Sequence, residues 1–404
     1  MINKIQETLF SKKDILITLF TRYSLYSIAI IESFLLPRLI DTDSFSKFEY
    51  YKNFIFIFPN FLLGSYSGYI YLKYVKNVDY YKQLFQIGSI ISLLLACLGT
   101  IVFQNFYLFI PFLVFNIYTL AEQKLKIERK FIPIFVFKPI LSILSVSIAV
   151  FAYLYYPNSY NYNWSLLGVF GIGFLLWVSI LRFKSALFPL QFSLSKIMML
   201  RYILMVRVIV TGVLASFLYS LLIFFERFYI KEYYADYLPT YSMAFNLTQI
   251  IAVLISAISY VSSVELGEKI ATINKDKLIN NFKNAFYLFV LFFIIFMVFV
   301  YSINPYYKQF EYLNTITFIL SYSKGFFFLV GTISHLAVYN NFNTKMFLFL
   351  LRISIINVIL IYILIFFNST VFVLLILDSI FIIIYSLYIL NIVFNKVHYT
   401  NFVK

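Results

Sequence analysis

Lys324, in the stretch SYSKGFFF beside Gly325, stands in the middle of a long apolar run. A lysine at the centre of a membrane helix costs about 2.5–3.5 kcal/mol on insertion scales, so its ammonium must face protein or water. Three more cations lie inside apolar runs: Arg22 in FTRYSLYS, Arg207, and Lys138 beside Pro139. Cations at membrane depth need an anionic or hydrogen-bond-accepting partner, because bare hydrocarbon cannot hold a lone charge. Each also has a structural reading. Lys324 can pair with an acid on a neighbouring helix, and Arg207 and Lys138 can snorkel to the membrane surface. Two acids, Glu32 and Asp378, sit in similarly apolar surroundings. A carboxyl there can carry a coupling proton or close an interhelical salt bridge. Glu32 follows Arg22 by roughly 15 Å along a helix, too far to pair within it.

A second constellation is Asp41-Thr42-Asp43, an acidic pair of the kind that holds a metal ion and a donor phosphate in multi-span membrane glycosyltransferases. The motif is short, and no large outside loop accompanies it to hold an acceptor. Other catalytic sets are missing. The chain has two histidines, His335 and His398, and one cysteine, Cys97, with no phosphate-binding glycine loop and no zinc spacing. His335 reads as hydrogen-bonded packing and Cys97 as a buried packing residue. The expectation is a protein that is not an enzyme and that needs no catalytic residue, metal or cofactor.

These residues must be positioned by membrane helices. The 404 residues are 62% hydrophobic and 12% charged, with mean hydropathy +0.88, too apolar to cover a soluble domain. Lipid leaves helices as the spanning structure, and the short alternating segments of an outer-membrane barrel are absent. Twelve spans are expected near 15–36, 52–72, 84–104, 106–121, 131–155, 163–183, 203–224, 239–262, 283–303, 311–337, 345–367 and 371–394. The first lacks a cleavage pattern and reads as a retained span.

Charge orients the spans. With the N-terminus inside, 22 of the 32 Lys and Arg fall in inside segments, six outside and four within spans. The net charge of +15 then follows from topology, and a nucleic-acid partner is not needed. Both termini are cytoplasmic in this reading. The longest inside segment, near Glu265 to Phe282, can continue helically along the surface.

Aligning Arg38 with Arg227 sets RLIDTDSFSKFEYYKNF beside RFYIKEYYADYLPTYSMAF. Two single-residue gaps match Tyr51 to Tyr241 and then Phe54 to Phe245. Both stretches follow the first span of a six-span half. The implied architecture is an all-α membrane protein of about twelve helices in two pseudo-symmetric six-helix lobes, residues 1–190 and 191–404. Under the alignment Arg22 and Arg207 fall within about one helical turn of equivalence, one per lobe. Glu226 and Arg227 read as a structural cap at the outer end of the second lobe.

The stretch LLPRLIDTDSFSKFEYYKNF, followed by LLGSYSGYIYLKY, resembles the first two helices of bacterial polysaccharide flippases. The matching positions are Pro37, Arg38, Leu39, Asp41, Asp43, Phe45, Tyr50, Gly64 and Gly68. Glu226-Arg227-Phe228 and Tyr241-Ser242-Met243-Ala244-Phe245 resemble the opening of their second lobe, where the acid is usually Asp rather than Glu. The resemblance is to the O-antigen (Wzx-type) branch of the multidrug/oligosaccharidyl-lipid/polysaccharide exporter superfamily. It implies flipping of an undecaprenyl-pyrophosphate-linked oligosaccharide across the bacterial inner membrane, in polysaccharide and lipopolysaccharide biosynthesis, by ion-coupled alternating access. Membrane lipid surrounds such a protein, and a polysaccharide polymerase and a chain-length regulator are its candidate partners. Lys324, Arg22, Arg207 and Lys138 would then contact substrate, and Asp378 and Glu32 would couple the ion. A membrane glycosyltransferase or O-antigen polymerase, and a multidrug exporter of the same fold, are the competing readings.

Overall fold

The computed structural model describes residues 34–57, 81–102, 104–109, 112–113, 225–251, 275–340 and 342–396, with a few isolated positions between. The chain divides into two compact units, Met1–Ser216 and Phe217–Lys404. The joint expected at residues 190 and 191 lies outside the described residues.

In the first unit, helix α1 spans Thr42–Ile57 and α2 spans Tyr81–Val102. Helix α1 begins well before the expected span at residue 52. The reason is local: Asp41 Oδ1 accepts from the Ser44 amide at 2.8 Å, which is an N-cap bond to the third helical residue. Asp43 adds negative charge to the first turn and pairs with Lys47 one turn on, at 2.6 Å. Asp41 and Asp43 thus start a helix. Phe45, Phe48, Glu49 and Tyr50 form its buried face.

Helix α2 ends in a two-residue reversal. Gln104 takes φ 49°, and the amides of Gln104 and Asn105 reach back to the carbonyls of Ile101 and Thr100. This is a Schellman closure with glutamine where glycine is usual. Upstream, Gly99 lets the Phe112 ring lie against the helix; a Cβ there would meet that ring at 2.6 Å. Cys97 is exposed, which corrects the expectation of burial. An apolar neighbourhood implies a buried residue only when the solvent is water; on a membrane helix the outward face is equally apolar.

The second unit carries a short α3, Glu226–Tyr233, a helix α4 over residues 238–251, and four long helices. These are α5 Lys275–Ile303, α6 Leu313–Tyr339, α7 Asn343–Phe366 and α8 Val371–Asn391. All four are long and apolar enough to cross a membrane. Helix α5 starts eight residues ahead of its expected span, at Lys275, so the segment near residue 275 is part of the span's own helix. Helix α6 is central: 61% of its apolar stretch is buried, against 22% in α5 and 28% in α7. It packs on α5 and α8, and α8 packs on α7 and α3.

Two features bring α6 close to its neighbours. Gly325 leaves room for Phe289 of α5 and Ile251 of α4; a Cβ would meet them at 2.7 and 3.0 Å. Hydroxyls then cross the seams, Thr248 to Ser321 at 2.9 Å and Ser323 to Ser379 at 3.1 Å. At the end of the unit where α7 turns into α8, Tyr234 donates to the Ser369 carbonyl at 2.6 Å. Tyr237 and Tyr312 cluster there, each edge to face with Phe372, as aromatics do at a membrane interface.

Candidate functional site

Five helices converge on one buried cluster of charged and polar side chains. Lys324 lies eleven residues into α6, about 16 Å from its first turn, and Asp378 lies about 10 Å into α8. Asn357 of α7 is about 14 Å from the same end. Glu226, the first residue of α3, reaches this depth and takes the Lys324 ammonium as an ion pair. The Tyr241 hydroxyl of α4 donates to the same carboxylate oxygen. Glu226, Arg227 and Lys324 are each 1% exposed, and Asp378 is fully buried.

The placement of Glu226 and Arg227 corrects the sequence reading. Both were expected at the outer end as a cap; the structure buries them in the middle of the helix bundle. Two charges of each sign make this tolerable, since Glu226 and Asp378 face Lys324 and Arg227 within one region. The aromatic face of Phe245 takes up both cations. Arg227 Cζ lies 3.9 Å, and Lys324 Nζ 4.4 Å, from its ring centroid.

Asp378 is held from α7. Asn357 Nδ2 donates to its Oδ1 at 2.5 Å. Its Oδ2 has no hydrogen-bond donor, and neither does Oδ1 of Asn357 nor Oγ of Ser354 one turn earlier. The Glu226 carboxyl lies beside Asp378. A proton shared between the two carboxyls, or a bound cation, would fill the Asp378 oxygen. The donor set here is all oxygen: carboxylate, amide and hydroxyl. No group of three His, Cys, Asp or Glu side chains with metal-holding geometry occurs among the described residues.

Of the residues singled out from sequence, Lys324 and Asp378 come together in this cluster. Arg22, Arg207, Lys138 and Glu32 lie outside the described residues. Lys324 has the partner that its structural reading called for, an acid from another helix. His335 is half-buried near the far end of α6 and engaged in its own contacts. Three members of the site are not among the residues picked out from sequence as binding or coupling groups: Tyr241 and Phe245, which mark the repeat and the resemblance, and Asn357. The available signal for Asn357 was a carboxamide in IINVILIY, a polar side chain at membrane depth.

No family model matches this chain, and no curated protein matches it. Solved structures do. The eukaryotic MATE transporter AtDTX14 aligns over 98% of this chain and 97% of its own, with TM-score 0.68 and 10% identity. A variant of the Vibrio cholerae MATE transporter VcmN aligns over 96% of both chains, with TM-score 0.63 and 12% identity. The chain has the MATE transporter fold. An outward-facing multidrug resistance MATE family transporter of the MOP superfamily, at 14% identity, covers 94% of each chain with TM-score 0.60. The expected all-α, twelve-helix, two-lobe membrane architecture is the one these MATE transporters have. At such identities the likeness speaks for fold.

Proposed function

We propose that this protein is a membrane transporter that works by alternating access. The observation that carries this reading is end-to-end agreement with the MATE fold, together with a buried charge cluster inside the second unit. A cluster of this kind is costly, and its usual return is function rather than stability. Asp378 takes the coupling ion. The ion competes with Lys324 for carboxylate oxygen and loosens the Glu226–Lys324 pair, so the ammonium is held in one state and released in another. Released, it can meet an anionic group on the cargo.

The proposed cargo is an undecaprenyl-pyrophosphate-linked oligosaccharide, moved from the inner to the outer leaflet of the bacterial cytoplasmic membrane. Support for the cargo comes from sequence: the Pro37-Arg38-Leu39 to Tyr50 stretch and the Glu226 to Phe245 stretch. Arg22, Arg207 and Lys138 would join Lys324 in holding it, Glu32 would join Asp378 in coupling, and a polymerase and a chain-length regulator would receive the product. A drug exporter of the same fold is the second reading. A specific observation favours it: Lys324 and Arg227 are balanced by Glu226 and Asp378, and a neutralised cluster makes no demand for an anionic cargo. The part of the chain best placed for the enzyme reading, Asp41 and Asp43, is engaged in starting α1.

Deletion of the gene in its native host separates these. Complete lipid-linked units trapped on the inner leaflet, with no surface polymer, are expected. Single units displayed at the surface but never polymerised would make the protein a polymerase. An unchanged glycan profile with new drug sensitivity would make it an exporter. Lys324→Ala, at unchanged membrane abundance, is expected to abolish export, and normal export in that variant would remove Lys324 from the mechanism.

A further inference from the structure

A crevice of about 280 Å³ opens between the segment leading into α3 and helix α7. Leu218, Leu222 and Phe225 form one wall, and Leu351 and Val358 of α7 the other. At its mouth stand Ile355 and Ile359, both about half exposed on the outward face of α7. At its inner end the character changes. Ser354 and Asn357, 8% and 1% exposed, line the crevice, and Oγ of the first and Oδ1 of the second have no hydrogen-bond partner.

An unfilled buried acceptor is costly, about 1–3 kcal/mol, so two of them beside one cavity call for an occupant that supplies a donor. Water alone fits poorly, because a cavity walled almost wholly by Leu, Ile, Val and Phe stays dry. An anionic headgroup is disfavoured by Asp378, which Asn357 holds from its other side. A neutral hydroxyl on a hydrocarbon chain satisfies both ends. At about 30 Å³ per water-sized volume, the crevice takes roughly nine or ten heavy atoms. Its depth along α7, at membrane level, means that such a molecule arrives from the bilayer.

The geometry points to a binding site for a hydroxyl-tipped hydrocarbon chain between Leu218, Leu222 and Phe225 on one side and α7 on the other, with Asn357 Oδ1 and Ser354 Oγ as its polar anchors. A ligand here bonds the free oxygen of the amide whose nitrogen holds Asp378. Occupancy therefore fixes the rotamer of Asn357 and stiffens the coupling carboxylate, which makes the crevice a control point as well as a seat. Binding does not depend on what cargo the protein moves, so the site stands or falls apart from the transport reading.

The test uses the full chain in lipid nanodiscs and a decanol carrying a photoreactive diazirine, whose last few atoms reach past the mouth into the bilayer. Adducts are mapped by peptide mass spectrometry, with 1-decanol and decane as competitors. Adducts are expected on the 218–225 and 351–359 peptides, suppressed about fivefold or more by 1-decanol than by decane at equal membrane load. Asn357→Leu is expected to erase that preference for the alcohol, and Val358→Trp to erase crevice labelling altogether. Should Val358→Trp fail to fold, Ser354→Val removes one anchor with little change of volume and should lower the alcohol preference. Labelling spread evenly over the outward faces of α5 and α7, equally insensitive to both competitors, would overturn the site. So would crevice labelling that Asn357→Leu and Ser354→Val leave unchanged in its preference for the alcohol.

Discussion

Two stretches align with each other in sequence, 38–54 and 227–245; the first contains an acid–lysine pair and the second follows directly on the acid of another, in a different setting. In the first unit the pair is Asp43–Lys47, a turn apart on α1, with side chains 71% and 51% exposed. In the second it is Glu226–Lys324, 98 residues apart and 1% exposed. Even the aligned arginines part company: Arg38 is exposed and Arg227 is buried. The lesson is that a repeat can conserve a pattern of residue types while assigning them opposite work. One pair helps to start a helix. The other joins α3 to α6 at membrane depth, and its partners are fixed by tertiary structure rather than by spacing.

The comparison breaks most severely at Glu226. Glu226→Gln strips the Lys324 ammonium of its counter-charge, and a loss of about 3–5 kcal/mol is expected in denaturant unfolding in detergent. The double variant Glu226→Leu with Lys324→Met should regain most of that stability while transport stays lost; a double variant as unstable as the single one would mean that the pair is not the unit of energy. Next comes Gly325→Ala. Helix propensity alone would favour alanine, but its methyl must displace Phe289 and Ile251, and the net expectation is about 1–3 kcal/mol of destabilisation, read as a lower Tm. Asn357→Leu removes the donor to Asp378 and should cost about 1–3 kcal/mol, with a change in the ion dependence of transport that a packing defect would not produce. At the small end, Lys47→Ala should change stability by no more than about 0.3–0.5 kcal/mol, and high salt should cancel even that. A loss at Lys47 as large as that at Glu226 would erase the contrast between the two stretches.

The long elements of the second unit were legible in the sequence. The spans expected at 311–337, 345–367 and 371–394 correspond to α6, α7 and α8 within three residues at each end. Hydropathy runs of this length, broken by polar turns such as Asn368-Ser369-Thr370, leave few alternatives. The site was legible only in part. Lys324 and Asp378 stood out because charge inside an apolar run is rare. Glu226 and Arg227 stood out too, but their chemistry was read as outside, since a scale that scores residues singly ends a span at the first charges. Only the fold brings Lys324 back to that carboxylate. Cys97 shows the same limit from the other side: hydropathy places a residue in the membrane and is silent on which way the helix is turned.

The separation of Glu226 from Lys324 along the chain also sets an order of events during synthesis. Glu226 emerges first, and its counter-charge follows 98 residues later. At roughly 5–20 residues per second that is an interval of about 5–20 s in which a carboxylate destined for the middle of the bundle has no partner. The helices between them must be inserted meanwhile. The second unit therefore cannot close helix by helix as it leaves the ribosome. Its first segment has to wait at the membrane surface, or in the insertion machinery, until α6 arrives with the lysine.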